Sequence, residues 1–363
     1  MSLLNVEQSA AQHDYLVQDF YAILFAFIVE TANHKIAPSL KDPAPPTQII
    51  LLDQSGFQAR GSTGTGSMAF TGTIPLVSAL GQNGFDEFRI NFADEVMHSY
   101  VLHNVFEDAV GYNSHMIGDG VSLPAIQTLD NSACVELLRG AQLSERVSRK
   151  PGGILGVMSK ASSSYKSGKA GDKKDDDMLQ DLVAKFGVHA SFMASPNVGG
   201  TADRNLFGIN HYAGNCSYDV TGFVEKNTDM LDSAFVPLLR NSSDTFVSKL
   251  LSGPSLAAEK HSKDESIVVQ AQVSSHPLRQ PTSIISPDGA LSAADSEPSQ
   301  LDSSKVYPVT TQLNHTLSTI LAGLNRTHLW TISCIRPNDS GSPNSFDKRR
   351  VKAQIRSLLL PSS

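Results

Sequence analysis

Residues 48–58, "QIILLDQSGFQ", decide the fold class: four aliphatic residues in a row end on Asp53, and Gly56 follows three positions later. A run this short and apolar predicts a buried strand over 48–53. A strand covered on both faces needs a layer on each side, which points to an α/β arrangement with helices around a sheet. An aspartate at the carboxyl end of such a strand lies where open α/β sheets place their ligands.

The rest of the chain supplies the layers. Leu16, Phe20, Leu24, Phe27 and Ile28 recur at spacings of three and four and predict a helix over 8–33. Pro38, Pro43, Pro45 and Pro46 end it, and Gly61–Gly72 reads as a loop. Asn83 is placed to cap a long helix over 83–110, with Asp86 and Glu87 in its first turn and a core-facing stripe of Phe85, Phe88, Phe92, Val96 and Tyr100. The charged stretch 166–177 reads as a loop. Leu206–His211 and Ser217–Val220, around "YAGNC", read as a hairpin over 206–220. Asp232–Leu251 is helical with a break at Asn241–Ser243. Residues 252–305, rich in Ser, Pro and charge, predict a long disordered surface insert. A helix face of Leu313, Leu317, Ile320, Leu321 and Leu324 precedes an alternating strand over 328–336, and Lys348–Leu360 forms a last, basic helix. Strands at 48–53, 206–212, 217–220 and 328–336 between long helices predict one mixed sheet surrounded by helices.

Composition narrows the function. The 363 residues are 40% hydrophobic and carry a net charge of −7, which argues against nucleic acid as a partner. Three dispersed cysteines give no disulfide framework or zinc spacing and fit a reducing compartment. The most apolar run, Tyr21–Val29, is about half the roughly 20 residues that a spanning helix needs, so no transmembrane segment is predicted.

The D-x-x-G spacing of Asp53 and Gly56 has a chemical reading. In phosphate-cleaving enzymes an aspartate here helps hold Mg²⁺, usually through water, and the glycine N–H reaches the terminal phosphate unobstructed. An aspartate that merely caps a turn fits the same four residues. Phosphate binding also needs a G-x-x-x-x-G-K-[ST] cradle. Gly168-Lys169 comes nearest, but Ala170 follows it and Ser163 stands five positions before Gly168. Gly64-x-Gly66-x-x-Ala69 matches a dinucleotide pattern by letter, yet it begins about ten residues beyond the strand, which that motif must close. The 11 histidines show no metal-ligand spacing, and His211 beside a glycine turn reads as structural.

Several stretches together resemble one family. "LLDQSGFQ" resembles the switch II strand and loop of myosin motor heads, within 48–58 here. "FDEFRINFADEVMHSYVLHNVFEDAVGY" resembles the relay helix. "LFGINHYAGNCSYDVTGFVEKNTDML" resembles the hairpin and helix bearing H-Y-A-G, and "LNHTLSTILAGLNRTHLWTISCIRPND" the helix and strand ending in C-I-x-P-N. The variant form is similar to the myosin-like heads fused to fungal chitin synthases.

The resemblance implies a partial myosin motor-like domain over 1–363, with a P-loop NTPase-like sheet. It assigns Asp53 to Mg²⁺, indirectly through water, and Gly56 to the γ-phosphate. Gln58 stands where most such heads carry a glutamate that pairs with a switch I arginine. The family's cofactors are ATP and Mg²⁺ and its partner is the actin filament; the parent would add a chitin synthase domain on secretory vesicles or the plasma membrane, with the head cytoplasmic and cytoskeleton-associated. No actin-binding residue is assigned; the insert, with four cationic and seven acidic side chains, would not steer an acidic filament. The P-loop and switch I are expected before residue 1, in a missing amino-terminal half, and the converter and lever after residue 363. On that expectation the isolated chain binds no cofactor and is inactive. The alternatives are a non-hydrolysing actin- or vesicle-tethering module that positions chitin synthase, and a small-GTPase-like enzyme built on D-x-x-G.

Overall fold

The computed structural model describes residues 5–36, 49–53, 55–58, 83–104, 120, 130–140, 152–169, 171, 173–194, 205–228, 235–250, 307–325, 327–332, 334–338 and 340–357. The loop at 61–72, the expected helix end at 105–110, the insert at 252–305 and residues 358–360 lie outside them. The chain divides into two compact units, Met1–Ile50 with Asn227–Thr316, and Leu51–Lys226 with Leu317–Ser363.

The first unit is built on helix α1 (Val6–Ile36). Ile23 packs with Phe235, Leu239 and Leu250, and Leu16, Phe20 and Val247 border this cluster. Phe235 and Leu239 belong to a one-and-a-half-turn helix Phe235–Arg240, and Leu250 to its successor Thr245–Leu250. The break between them falls where the sequence predicts it. Asp244 restarts the helix by accepting the Phe246 and Val247 N–H groups at 2.8 and 3.1 Å.

The second unit holds α2 (Phe85–Leu102), α3 (Ser132–Arg139), α4 (Gly153–Lys166), α5 (Lys174–Phe186) and a three-stranded antiparallel sheet in the order β1 (Phe192–Met193), β2 (Leu206–His211), β3 (Gly214–Asp219). The stripe of α2 is core as expected: Phe85, Phe88 and Phe92 are buried. Phe88 meets Phe207, Tyr218 and Phe223 edge-on or tilted, with ring centroids 5.5–6.2 Å apart. Each such buried ring contributes about 1.5–3 kcal/mol by area, and each good ring pair about 0.5–1.5 kcal/mol more.

Several expectations are corrected. The sheet among the described residues is small and antiparallel, not mixed; its single parallel element is an isolated bridge between Asn83 and Tyr218. Residues 49–53 form no strand, and Ile49 and Leu51 are 86% and 90% exposed, because no described residue pairs with them. The described residues of 328–336 likewise form no strand, no described residue pairing with them in a sheet, and Trp330 and Ile332 are exposed. A strand gains its stability from cross-strand pairs, so apolar alternation alone does not make one. Gly84, not Asn83, caps α2: its N–H donates to the Glu87 carboxylate at 2.9 Å, while the Asn83 side chain donates to the Ser217 carbonyl at 3.0 Å.

The hairpin is tighter than expected, β3 starting at Gly214 so that only Tyr212 and Ala213 turn the chain. Finally, Asp175, Asp176 and Asp177 form the first turn of α5, where negative charge favours the helix N-terminus, instead of closing a loop. Asp175 also accepts the Gly222 and Val224 N–H groups at 2.9 and 3.0 Å.

Candidate functional site

The four residues 55–58 reach the second unit's core through Phe57, 2% exposed, which meets His211 edge-on. Gly56 lets the chain turn there: its φ of +73° is the left-handed region that suits glycine, and nothing lies within 4 Å of where a Cβ would stand. Asp53 is exposed. An open carboxylate and an unobstructed glycine backbone are the two features that the D-x-x-G reading requires, and in this respect the residues fit a phosphate-bound Mg²⁺.

One amide side chain makes the main hold on the loop's backbone, and the Cys216 thiol also reaches the Gln58 carbonyl at 3.8 Å. Asn91 of α2, fully buried, accepts the Gln58 N–H and donates to the Gln58 carbonyl, both at 2.7 Å. Its second amide hydrogen goes to Tyr218 Oη at 2.7 Å. A network continues from there. Tyr218 Oη meets His211 Nε2 at 2.8 Å, and His211 Nδ1 meets Glu95 Oε2 at 2.9 Å. Glu95 also accepts the Tyr212 N–H at 3.2 Å and the Asn131 amide at 2.7 Å. The Glu95 carboxylate is met by donors, the Tyr212 N–H, the Asn131 amide and the Cys134 thiol, so His211 Nδ1 in turn carries a proton towards it, and Nε2 accepts from the Tyr218 hydroxyl.

A second branch leaves Tyr212, whose hydroxyl donates to Asp94 at 2.6 Å and whose ring stacks on His98 with centroids 3.7 Å apart. Burial raises the Asp94 carboxyl to about 6, against the Tyr212 hydrogen bond, with nearby Glu95 adding to the rise. Burial also raises the Tyr218 and Tyr212 hydroxyls and the Cys134 thiol, pushes the Cys216 thiol up to about 12, and lowers His98.

Glu95, Cys134 and His211 place a carboxylate oxygen, a sulfur and a ring nitrogen within 4.8 Å of one another. All three are buried, and the Glu95 and His211 atoms already bond to each other, so hydrogen bonds account for the cluster without a cation.

Of the residues the sequence singled out, the structure uses the backbone of Gln58, turns the chain at Gly56, and leaves Asp53 outside the network. Asn91, Glu95 and Tyr218 were missed. The signal was present on α2: Asn91, Glu95 and His98 recur at four and three, beside the aromatic stripe, and a polar line so close to a core stripe is a candidate for burial.

Comparison with known proteins decides the family. The profile described as Myosin head (motor domain) matches residues 74–360, well over half of the chain. The chain belongs to the myosin head family. Residues 48–58 precede the matched range. Curated relatives take in nearly the whole chain. Chitin synthase 5 of Cryptococcus neoformans var. grubii and chitin synthase 8 of Mycosarcoma maydis are each 27% identical over 98% of it, and chitin synthase E of Aspergillus fumigatus is 24% identical over 97%. The alignments span 18–20% of those proteins, so this head corresponds to about a fifth of each relative's length. No described helix is long and apolar enough to cross a membrane.

Proposed function

We propose that this chain is the coupling part of a myosin-type head of a fungal chitin synthase, in which the loop 53–58 senses nucleotide state and α2 carries that state away. The observation that supports this reading is the Asn91 clamp: any shift of the Gln58 peptide must either move α2 with it or break two hydrogen bonds.

When bound, Mg²⁺·ATP would supply the phosphate chemistry, with Asp53 and Gly56 on its terminal-phosphate side. The chain's own contribution is mechanical. Phe57 anchors the loop in the core, Asn91 fixes its peptide, and the Tyr218–His211–Glu95 chain ties that anchor to β2 and β3. The 363 residues contain no G-x-x-x-x-G-K-[ST] cradle, so by this proposal they do not turn over ATP by themselves. Actin filaments are the proposed track, and the cytoplasmic cytoskeleton the proposed location, on family grounds.

Hydrogen exchange and ATPase assays test the two halves separately. Asn91→Ala should speed exchange at residues 55–58 and within the hairpin; unchanged exchange at 55–58 would remove the coupling role. Purified chain should hydrolyse ATP no faster than Asp53→Ala; turnover lost in that variant would show that the chain is itself a hydrolase.

A further inference from the structure

The helix Lys348–Ser357 carries the densest positive charge among the described elements. Its inner side is fixed to the preceding chain. Gln354, fully buried, accepts the Arg336 N–H at 2.8 Å and donates to the Arg336 carbonyl at 2.9 Å. Asp347 is held at the N-terminus, accepting the Arg349 and Arg350 N–H groups at 2.9 and 3.1 Å. Lys348, Arg349 and Lys352 recur at spacings of four and three, are exposed, and have no acidic partner among the described residues. Arg336, also exposed, lines the same recess as Phe346. Phe346, 64% exposed, stands one position before the cap, on a loop that Asn338 braces by donating to the Ser342 and Ser345 carbonyls at 3.0 and 2.7 Å.

We infer that this face binds an anionic lipid surface. Residues 327–357 hold six cationic and two acidic side chains within a chain of net charge −7, so positive charge is concentrated here against an acidic remainder. Nucleic acid engages a wide surface and would be repelled by that remainder. A bilayer can be touched by one small patch, and charge more than about 8 Å beyond the contact is screened at physiological salt. An exposed phenylalanine two and three positions before a lysine and an arginine, with the intervening Asp347 engaged by backbone N–H groups, is a pairing that a lipid interface selects, the ring entering the headgroup boundary and the cations meeting the phosphates. The braced loop holds Phe346 in place before contact, which lowers the ordering cost of binding.

Cosedimentation of the full chain with vesicles tests this directly. Phosphatidylserine–phosphatidylcholine vesicles should pellet the chain at low salt and release it at high salt, while pure phosphatidylcholine should not. Each basic residue is worth roughly a fivefold change in partitioning, so Lys348→Ala/Arg349→Ala/Lys352→Ala should weaken it about a hundredfold. Phe346→Ala should weaken binding with the salt dependence retained. These positions are exposed, and circular dichroism of each variant checks that the fold is kept; the salt dependence of the unmodified chain tests the same claim without any substitution. Equal binding to neutral vesicles, no binding to anionic ones, or an unaffected triple variant overturns the inference. So does pelleting with actin filaments that the triple variant loses while vesicle binding is absent, since the face would then belong to a filament.

Discussion

Asn91 reads both backbone groups of Gln58 with one amide, 33 positions away in the chain. Truncation to alanine leaves the Gln58 N–H and carbonyl without this partner and takes one donor from Tyr218. We expect Asn91→Ala to cost on the order of 2–4 kcal/mol, from about 1–3 kcal/mol for each buried group left unpaired. Asn91→Asp should cost at least as much near neutral pH: it keeps the acceptor, loses both donors and buries a carboxyl. Urea unfolding at two pH values checks this, with the aspartate variant recovering stability as its carboxyl is protonated.

Asp94 makes stability depend on pH. The folded carboxyl titrates near 6 because burial penalises its charged form, against an unperturbed value of 3.8. Between these values the folded state keeps a proton that the unfolded chain has released. Stability from this group is therefore full below pH 4, falls through the interval, and is lost above pH 6. Two units amount to about 3 kcal/mol. Asp94→Asn leaves an oxygen for the Tyr212 hydroxyl and removes the titration. We expect it to gain roughly 2–3 kcal/mol over the unmodified chain at pH 7.5 and almost nothing at pH 4, measured as urea midpoints across that range.

What the sequence could and could not reveal follows from how far each interaction reaches. The stripe of Phe85, Phe88 and Phe92 and the break at Asn241–Ser243 rest on neighbours within a turn or two, and both were legible. The site depends on pairs such as Asn91 with Tyr218 and Glu95 with His211, 127 and 116 positions apart, for which one sequence offers no register. Ile49–Asp53 shows the opposite failure. Its composition predicts burial, but burial needs a partner, and none of the described residues supplies one. The Asp175–Asp177 turn was misread because a run of acids suits a solvated loop and a helix N-terminus equally well.

The joint between α3 and α4 should tolerate no side chain at Gly153. Its φ is +55°, and a Cβ there would lie 2.4 Å from the Leu137 carbonyl oxygen and 2.6 Å from that of Leu138. Left-handed strain and forced displacement together make Gly153→Ala cost on the order of 2–5 kcal/mol. Gly171 has nothing within 4 Å, so Gly171→Ala should stay within about 0.5 kcal/mol and serves as the control. Thermal unfolding of the pair distinguishes them; equal midpoints would show that the α3–α4 joint adjusts freely.

Glu95 is where the branches of the network meet, since it accepts from His211 and Tyr212 of the hairpin and from Asn131 just before α3. Glu95→Ala strands three buried donors and should cost about 3–5 kcal/mol, the range for removing one partner of a buried pair. Glu95→Gln is the finer probe. Its oxygen can serve His211 and the Tyr212 N–H, while its NH₂ group would face the Asn131 amide. The Asn131 Oδ1 atom is buried and has no partner among the described residues, so turning that amide over would let it accept from the new NH₂ group, at the cost of the bond that the Asn131 amide donates to the Glu95 main-chain carbonyl at 3.1 Å. We therefore expect Glu95→Gln to lose only about 1–2 kcal/mol, the scale of a hydrogen bond or two. Nitrogen-15 spectra of the His211 ring supply a second readout: the Nδ1–H tautomer should persist in the glutamine variant and give way to a mixture in the alanine variant. If both variants kept the Nδ1–H form, Glu95 would not be what sets the orientation of His211.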